Sequence, residues 1–370
     1  MSLTQAQIRW FRQKRSGLVD PFSSAEQVTA RLAGVQAQIL PAAALSLWNR
    51  TGRLTYAEFE ALLYQRRSLV KLWGQRHTLH LYPSREWPLV QAAMVIRQSW
   101  WERQLAKNGG DVAAHRALLA RIAALLRGRD TMGRGDLRAA EFDLADEFFS
   151  AWGGIFADLV KYGYACHARP SGNEGQFAHR ENWLPDLVWQ PPDSEAANIE
   201  LARRYFRTYG PATVQDLAYW RGAKVAQARR WAAALQAELT SLELAGQAQL
   251  LLQDDLAELN QAPPRSRAWP VRMLYRFDPL LLAHRDKTWL IEPDYYSRVW
   301  RPAGHIEGTV LDQGRLVGSW RYDRKGSGLL ITVYPFRPFP PRVTQAVEKT
   351  SQAIAQFFAR PLLDLIVEKR

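Results

Sequence analysis

The apolar positions of this chain change period several times, and each change marks an element. An amphipathic stretch predicts a first helix over about residues 4–14, ending in the basic cluster Arg12, Lys14 and Arg15. A second helix follows Ser23 and Ser24, where a hydroxyl can cap the first turn, and runs through AEQVTARLA until Gly34 stops it. Pro41 suits the first turn of a third helix, AAALSLWNR, and TYAEFEALLYQRR reads as a fourth. The period then falls to two in SLVKLWGQRHTLHLYP. Leu69, Lys71 and Trp73 alternate, Gly74 turns, and Thr78 and His80 stand against Leu79 and Leu81. Helices followed by a basic two-stranded ribbon outline a winged helix-turn-helix unit.

The outline recurs. Residues 85–107 and 111–127 predict long helices, GRGDLRAAE and GGIFADLVKYG shorter ones, and YACHARPSGNEGQFAHRE two short strands around a Ser-Gly-Asn-Glu-Gly turn. Past the linker WQPPDSE come the helices EAANIELARRYFRTYG, PATVQDLAYWRG and AKVAQARRWAAALQAEL, then a strand pair, TSLELAGQAQLLLQ. Beyond QAPPRSRAWP, residues 271–334 predict mostly short strands with glycine turns, a small barrel or sheet, before a last helix, VTQAVEKTSQAIAQFFA. The expected fold is α+β and mainly helical. Winged-helix units are expected at 1–83, 84–193 and 194–262, and a small barrel-like β-domain with the terminal helix at 263–370. Three wings in one chain favour a monomer over the symmetric dimer of a typical regulator.

Composition changes this picture in one respect. Hydrophobic content of 47% and charged content of 23% are those of an ordinary globular chain, but 49 basic residues against 36 acidic leave a charge of +13. Most of the bases are arginine, whose planar fork suits phosphate oxygens and base edges, so nucleic acid is the expected partner. A single cysteine, Cys166, excludes an internal disulfide and a cysteine-based zinc site, and the seven histidines are scattered. No apolar run approaches the ~18 residues of a membrane span, and the N-terminus lacks a signal peptide's apolar core, so the expected setting is cytoplasmic. There is no GxxxxGKS loop, HExxH pair or GxSxG elbow. Candidate DNA contacts are Arg76, His77 and His80 at the end of the first wing, with Arg12, Lys14 and Arg15. His80 lies between leucines and also fits a half-buried strand residue with one hydrogen bond. Asp278, in YRFDPLLLAHRD, reads as a buried carboxylate fixing the turn before Pro279.

The connector between the second and third helices reads GVQAQIL. If it is extended, Gln36 and Gln38 face one side and Val35, Ala37 and Ile39 the other; if it is helical, the two amides lie about 200° apart and cannot act together. An amide does not titrate near neutrality, so the pair cannot supply a general base. It either satisfies backbone groups near Gly34 and Pro41 or presents two amides to a substrate.

Five segments then combine: VQAQ, TLHL, RYFRTYGPATVQDLAYWRG, YRFDPLLLAHRD and GHIEGTVLDQGRLVGSW. In this order and spacing, through essentially the whole chain, they resemble the winged-helix DNA glycosylase family typified by AlkZ and YcaQ. The resemblance implies three tandem winged-helix domains and a small β-domain around a concave DNA-binding face, with no metal or cofactor. It also implies excision of alkylated purines from double-stranded DNA and the capacity to unhook interstrand crosslinks. One branch of the family carries Gln-hydrophobic-Gln and another Gln-hydrophobic-Asp. Gln36-Ala37-Gln38 is similar to the first, and by that match Gln36 and Gln38 are the catalytic pair. The implied activity is that of a monofunctional DNA glycosylase acting on cationic N7-alkylguanine or N3-alkyladenine and leaving abasic sites. The alternative is a non-catalytic winged-helix DNA-binding protein or transcriptional regulator.

Overall fold

A computed structural model describes residues 3–94, 98–140, 142, 144, 146–150, 154–244 and 246–368. The chain divides into two compact units, one made of residues 1–59 and 199–370, the other of residues 60–198. In the first unit, α1 (Gln5–Arg15) starts on a reciprocal cap. Thr4 Oγ1 accepts from the Gln7 N–H at 3.2 Å, and the Thr4 N–H donates to Gln7 Oε1 at 2.9 Å. The second helix, α2 (Ala25–Arg31), is capped by Ser24, as its sequence predicts. Next come β1 (Val35–Gln36) and α3 (Leu40–Thr51), which holds Pro41 in its first turn and ends at Gly52, left-handed with φ 69°. The boundary with the second unit falls inside α4 (Tyr56–Tyr64).

The second unit begins with the antiparallel ribbon β2 (Leu69–Trp73) and β3 (Leu79–Pro83), in which Leu69 stands opposite Pro83 and Trp73 opposite Leu79. The single helix expected over 85–107 is instead two. The first, α5 (Trp87–Ala93), ends, and α6 (Trp100–Lys107) starts afresh at Ser99; residues 95–97 lie outside those described. The fresh start has a local cause in a capping box: Ser99 Oγ accepts from the Glu102 N–H at 3.1 Å and Glu102 Oε2 accepts from the Ser99 N–H at 2.8 Å. The unit continues through α7 (Val112–Arg127), α8 (Arg134–Ala139), α9 (Gly154–Lys161), β4 (Ala165–His167), β5 (Phe177–His179) and α10 (Arg180–Trp183). Trp87, Ile122, Leu126, Phe156 and Leu159 fill its core, and Phe156 stacks on Phe177 at 4.4 Å. Each such side chain contributes about 1.5–3 kcal/mol by leaving water.

The chain returns to the first unit within α11 (Ser194–Tyr209), followed by α12 (Val214–Arg221), α13 (Val225–Ala234), the hairpin β6 (Leu239–Leu244) with β7 (Gln247–Leu252), and α14 (Leu256–Leu259). Ile8 and Phe11 of α1 pack on Leu244, Leu251 and Leu259, so the N-terminal helix completes this layer.

The C-terminal portion corrects two expectations. Residues 271–334 are not mostly strands. After β8 (Arg272–Leu274) the chain makes short helices, α15 (Pro279–Leu282) and α16 (Tyr296–Val299), whose Leu280, Leu281 and Val299 are buried together with Leu290 and Ile291. The strands resume as β9 (Gly308–Asp312), β10 (Arg315–Lys325) and β11 (Gly328–Pro335). Nor is the sheet a barrel. After α17 (Pro341–Phe357), β12 (Leu362–Val367) joins β11 in parallel, and the strand order β12-β11-β10-β9-β8 leaves an open sheet with two edges. The helix between β11 and β12 supplies the crossover that a parallel pair requires. Among the described residues, no helix is long and apolar enough to cross a membrane.

Candidate active site

Local stop and start signals aim the GVQAQIL connector. The end of α2 is wound tight by Ala33, at φ 51°, and Gly34, at φ 107°, with the Gly34 N–H donating to the Thr29 carbonyl at 2.8 Å. Ile39 caps α3 in extended conformation, without a polar side chain, and Pro41 follows in the first turn. Between these points burial holds through three residues and then breaks: Val35 and Ala37 are 0% exposed and Gln36 is 7% exposed, whereas Gln38 is open to solvent. Val35, Gln36 and Ala37 are all buried, and of the two amides only Gln38 reaches solvent. The strand ends at Gln36, so the two amides differ in depth, one recessed and one exposed.

The α1 cluster is engaged within the chain. Arg12 is 3% exposed; it donates to the Pro211 carbonyl and lies 4.4 Å from the centroid of the Trp289 ring. Burial lowers its pKa to about 10, which leaves it charged at neutral pH. Lys14 pairs with Glu258 at 2.9 Å, and Arg15 with Asp255 at 2.6 Å and Glu258 at 3.0 Å. These partners lie about 240 residues along the chain, so no local pattern reveals them.

The candidate DNA contacts around the β2–β3 ribbon sort by exposure. Arg76 and His77 occupy the tight turn between β2 and β3 with positive φ of 54° and 55°, and His77 is exposed. His80 is 3% exposed, and its Nδ1 lies 2.9 Å from the Thr78 carbonyl oxygen, so Nδ1 carries the proton. It stacks near Tyr82, whose hydroxyl donates to Gln75 Oε1 at 2.5 Å. His80 therefore takes the buried strand position that its flanking leucines allowed, and does not stand at an open edge.

Asp278 is the buried carboxylate its sequence suggested. Its two oxygens accept from Arg50 at 2.7 and 2.8 Å, and Oδ1 also accepts from the Leu280 N–H at 3.0 Å. Arg50 had carried no signal; its partner is 228 residues away.

The GVQAQIL connector thus presents two amides and no titrating side chain, set in a mixed fold of helices, hairpins and an open sheet. The profile of the family described as DNA glycosylase AlkZ-like matches residues 29–357. The chain belongs to that family and is a DNA glycosylase, which sets aside the reading as a non-catalytic regulator. The interstrand DNA cross-link repair glycosylase of Streptomyces sahachiroi is 28% identical over 345 residues, 90% of each chain. The solved structure of the Streptomyces sahachiroi DNA glycosylase AlkZ matches with a TM-score of 0.83, at 26% identity and full coverage of both chains.

Proposed function

We propose that the protein is a monofunctional glycosylase for cationic alkylated purines in double-stranded DNA, that it unhooks interstrand crosslinks, and that Gln36 and Gln38 are its catalytic pair. The observation that carries this reading is the connector itself: two amides, Gln36 recessed and Gln38 exposed, held between a tight helix stop and a proline start. The chemistry asks for no more. An N7-alkylguanine or N3-alkyladenine carries positive charge, so when the bond from C1′ to the base nitrogen breaks, its electron pair neutralises the ring and no general acid is needed. The sugar is left as an oxocarbenium ion, as in glycoside cleavage generally. Water adds to C1′ and releases its proton to solvent. An amide oxygen can accept a hydrogen bond from that water and offer partial negative charge to the cation, which is positioning and electrostatic work.

Unmodified purines depart as poor leaving groups and are spared. A crosslinked base cannot swing out of the duplex alone, so the enzyme works on the stacked base, unlike glycosylases that flip one base into a pocket. The winged-helix units supply the DNA grip, with Arg76 and His77 at the tip of the first wing. The enzyme acts as a monomer, in the cytoplasm and without a cofactor.

The test uses duplex DNA containing 7-methylguanine, followed by alkali to cleave abasic sites. Strand cleavage well above background is expected, with none from an unmodified duplex. Tight binding without cleavage would overturn the substrate assignment.

A further inference from the structure

In the first unit, Arg9, Arg12 and Arg315 line a pocket of about 340 Å³. Several arginines elsewhere in this unit are matched by carboxylates: Arg203 and Arg204 by Glu200, Arg342 by Asp312, Arg50 by Asp278. Among the described residues, Arg9, Arg12 and Arg315 have no carboxylate in ion-pair contact, and the Nε atoms of Arg9 and Arg12 are buried without a hydrogen-bond partner. The two acids in the wall act on Arg12 through space but take their hydrogen bonds elsewhere. Asp216 accepts from the Thr213 N–H at 3.0 Å, the Thr213 hydroxyl at 2.8 Å and the Arg285 N–H at 2.7 Å. Asp286 accepts from the Thr288 N–H at 3.0 Å and its hydroxyl at 2.7 Å.

Backbone geometry forces the like charges together. Gly314, at φ +73° in the turn between β9 and β10, runs so close to α1 that a Cβ there would stand 2.6 Å from the Cβ of Arg9. That approach carries Arg315 toward Arg9. Burial, and after it the charge of Arg315, lower the pKa of Arg9. Guanidinium groups held close with no carboxylate in ion-pair contact, three against two acids in the wall, are arranged as a fork for an oxyanion, and phosphate matches that fork in geometry and charge.

We propose that this pocket binds a phosphate group between Arg9 and Arg315, with Arg12 behind them, and that in the working enzyme the phosphate belongs to the DNA strand. The DNA assignment rests on the glycosylase reading; the phosphate site does not. The pocket is also tied to the glutamine connector. His284 in its wall donates through Nε2 to the Tyr209 carbonyl at 2.8 Å, and the Tyr209 hydroxyl donates at 3.2 Å to the carbonyl of Leu32, two residues before Gly34. A strand phosphate seated here is held in the same frame as Gln36 and Gln38.

Titration with inorganic phosphate against chloride of equal ionic strength, read by thermal unfolding and calorimetry, tests the site in the absence of DNA. Saturable binding with a rise in Tm is expected. The double variant Arg9→Gln/Arg315→Gln should weaken phosphate at least tenfold, and Arg315→Lys should recover part of the loss. A Tm response no larger than with chloride, or one unchanged in the double variant, overturns the proposal. For the source of the phosphate, the double variant should bind duplex DNA about tenfold more weakly, and free phosphate should compete with duplex for the native protein. Phosphate binding with duplex affinity unchanged overturns the DNA assignment and points to a small phosphate-bearing molecule. Excision of 7-methylguanine is scored separately, so a pocket that fails beside intact excision leaves the glycosylase reading standing.

Discussion

Single residues here do work that depends on depth. Arg50 and Asp278 are both 0% exposed, and Arg50 further donates to the Ser16 and Ser46 carbonyls at 2.8 and 3.0 Å. Removing one member strands the other charge in the core, so Asp278→Ala is expected to destabilise the protein by about 3–5 kcal/mol in urea unfolding. A loss below about 1 kcal/mol would mean the pair is not held as described. The glutamines differ in the same way. Because Gln38 is exposed, Gln38→Ala should lower the single-turnover excision rate of 7-methylguanine at least tenfold while leaving Tm and duplex affinity nearly unchanged. Gln36 is buried, so Gln36→Ala should lower both the rate and, by about 1–3 kcal/mol, the stability. Equal loss of binding and rate in both variants would mark the pair as structural.

At the scale of elements, close approach and burial set the constraints. In the β2–β3 ribbon, a Cβ on Gly74 would lie 2.1 Å from the Tyr82 hydroxyl and 3.0 Å from His80 Nδ1. Gly74→Ala should therefore displace Tyr82 from Gln75 and cost about 1–3 kcal/mol, seen as a lower urea midpoint and altered near-ultraviolet dichroism. In the first unit, His284 ties the loop after α15 to the end of α11. Burial, then the charges of Arg12 and Lys287, push its pKa well below the ordinary value, so the folded imidazole stays neutral. Below about pH 6.5 the unfolded chain takes up a proton that the folded chain refuses, so stability falls as pH drops, by up to about 1.4 kcal/mol per pH unit. His284→Gln should flatten that acid slope between pH 6.5 and 5; an unchanged slope would show that His284 protonates in place.

For the whole molecule, the charge of +13 matters more as a field than as a list of contacts. Lys14, Arg15, Arg50 and Arg203 are engaged by acids of the same chain, so fewer cations are available for phosphate than composition suggests. The net field still draws DNA in, and bound phosphates release counterions. If six phosphates are neutralised, affinity for unmodified duplex should fall about a thousandfold between 50 and 200 mM salt. A flat response in a filter-binding or anisotropy titration would exclude phosphate-dominated contact.

Much of this architecture is written locally. Ser24, Pro41 and Gly74 act within a turn of themselves, so caps, starts and the first ribbon could be placed from their neighbours alone, whereas the different depths of Gln36 and Gln38 could not, because the strand stops at Gln36. Other features depend on residues brought together from far along the chain. The open sheet follows from β12 crossing over α17 to pair with β11, a non-local choice that strand-forming sequence leaves open. The fate of the basic cluster on α1 depends on Glu258 and Asp255, and that of Arg50 on Asp278. Periodicity and caps report the conformation of a few adjacent residues. Burial and charge pairing depend on what the folded chain places opposite them, and only the tertiary structure decided that.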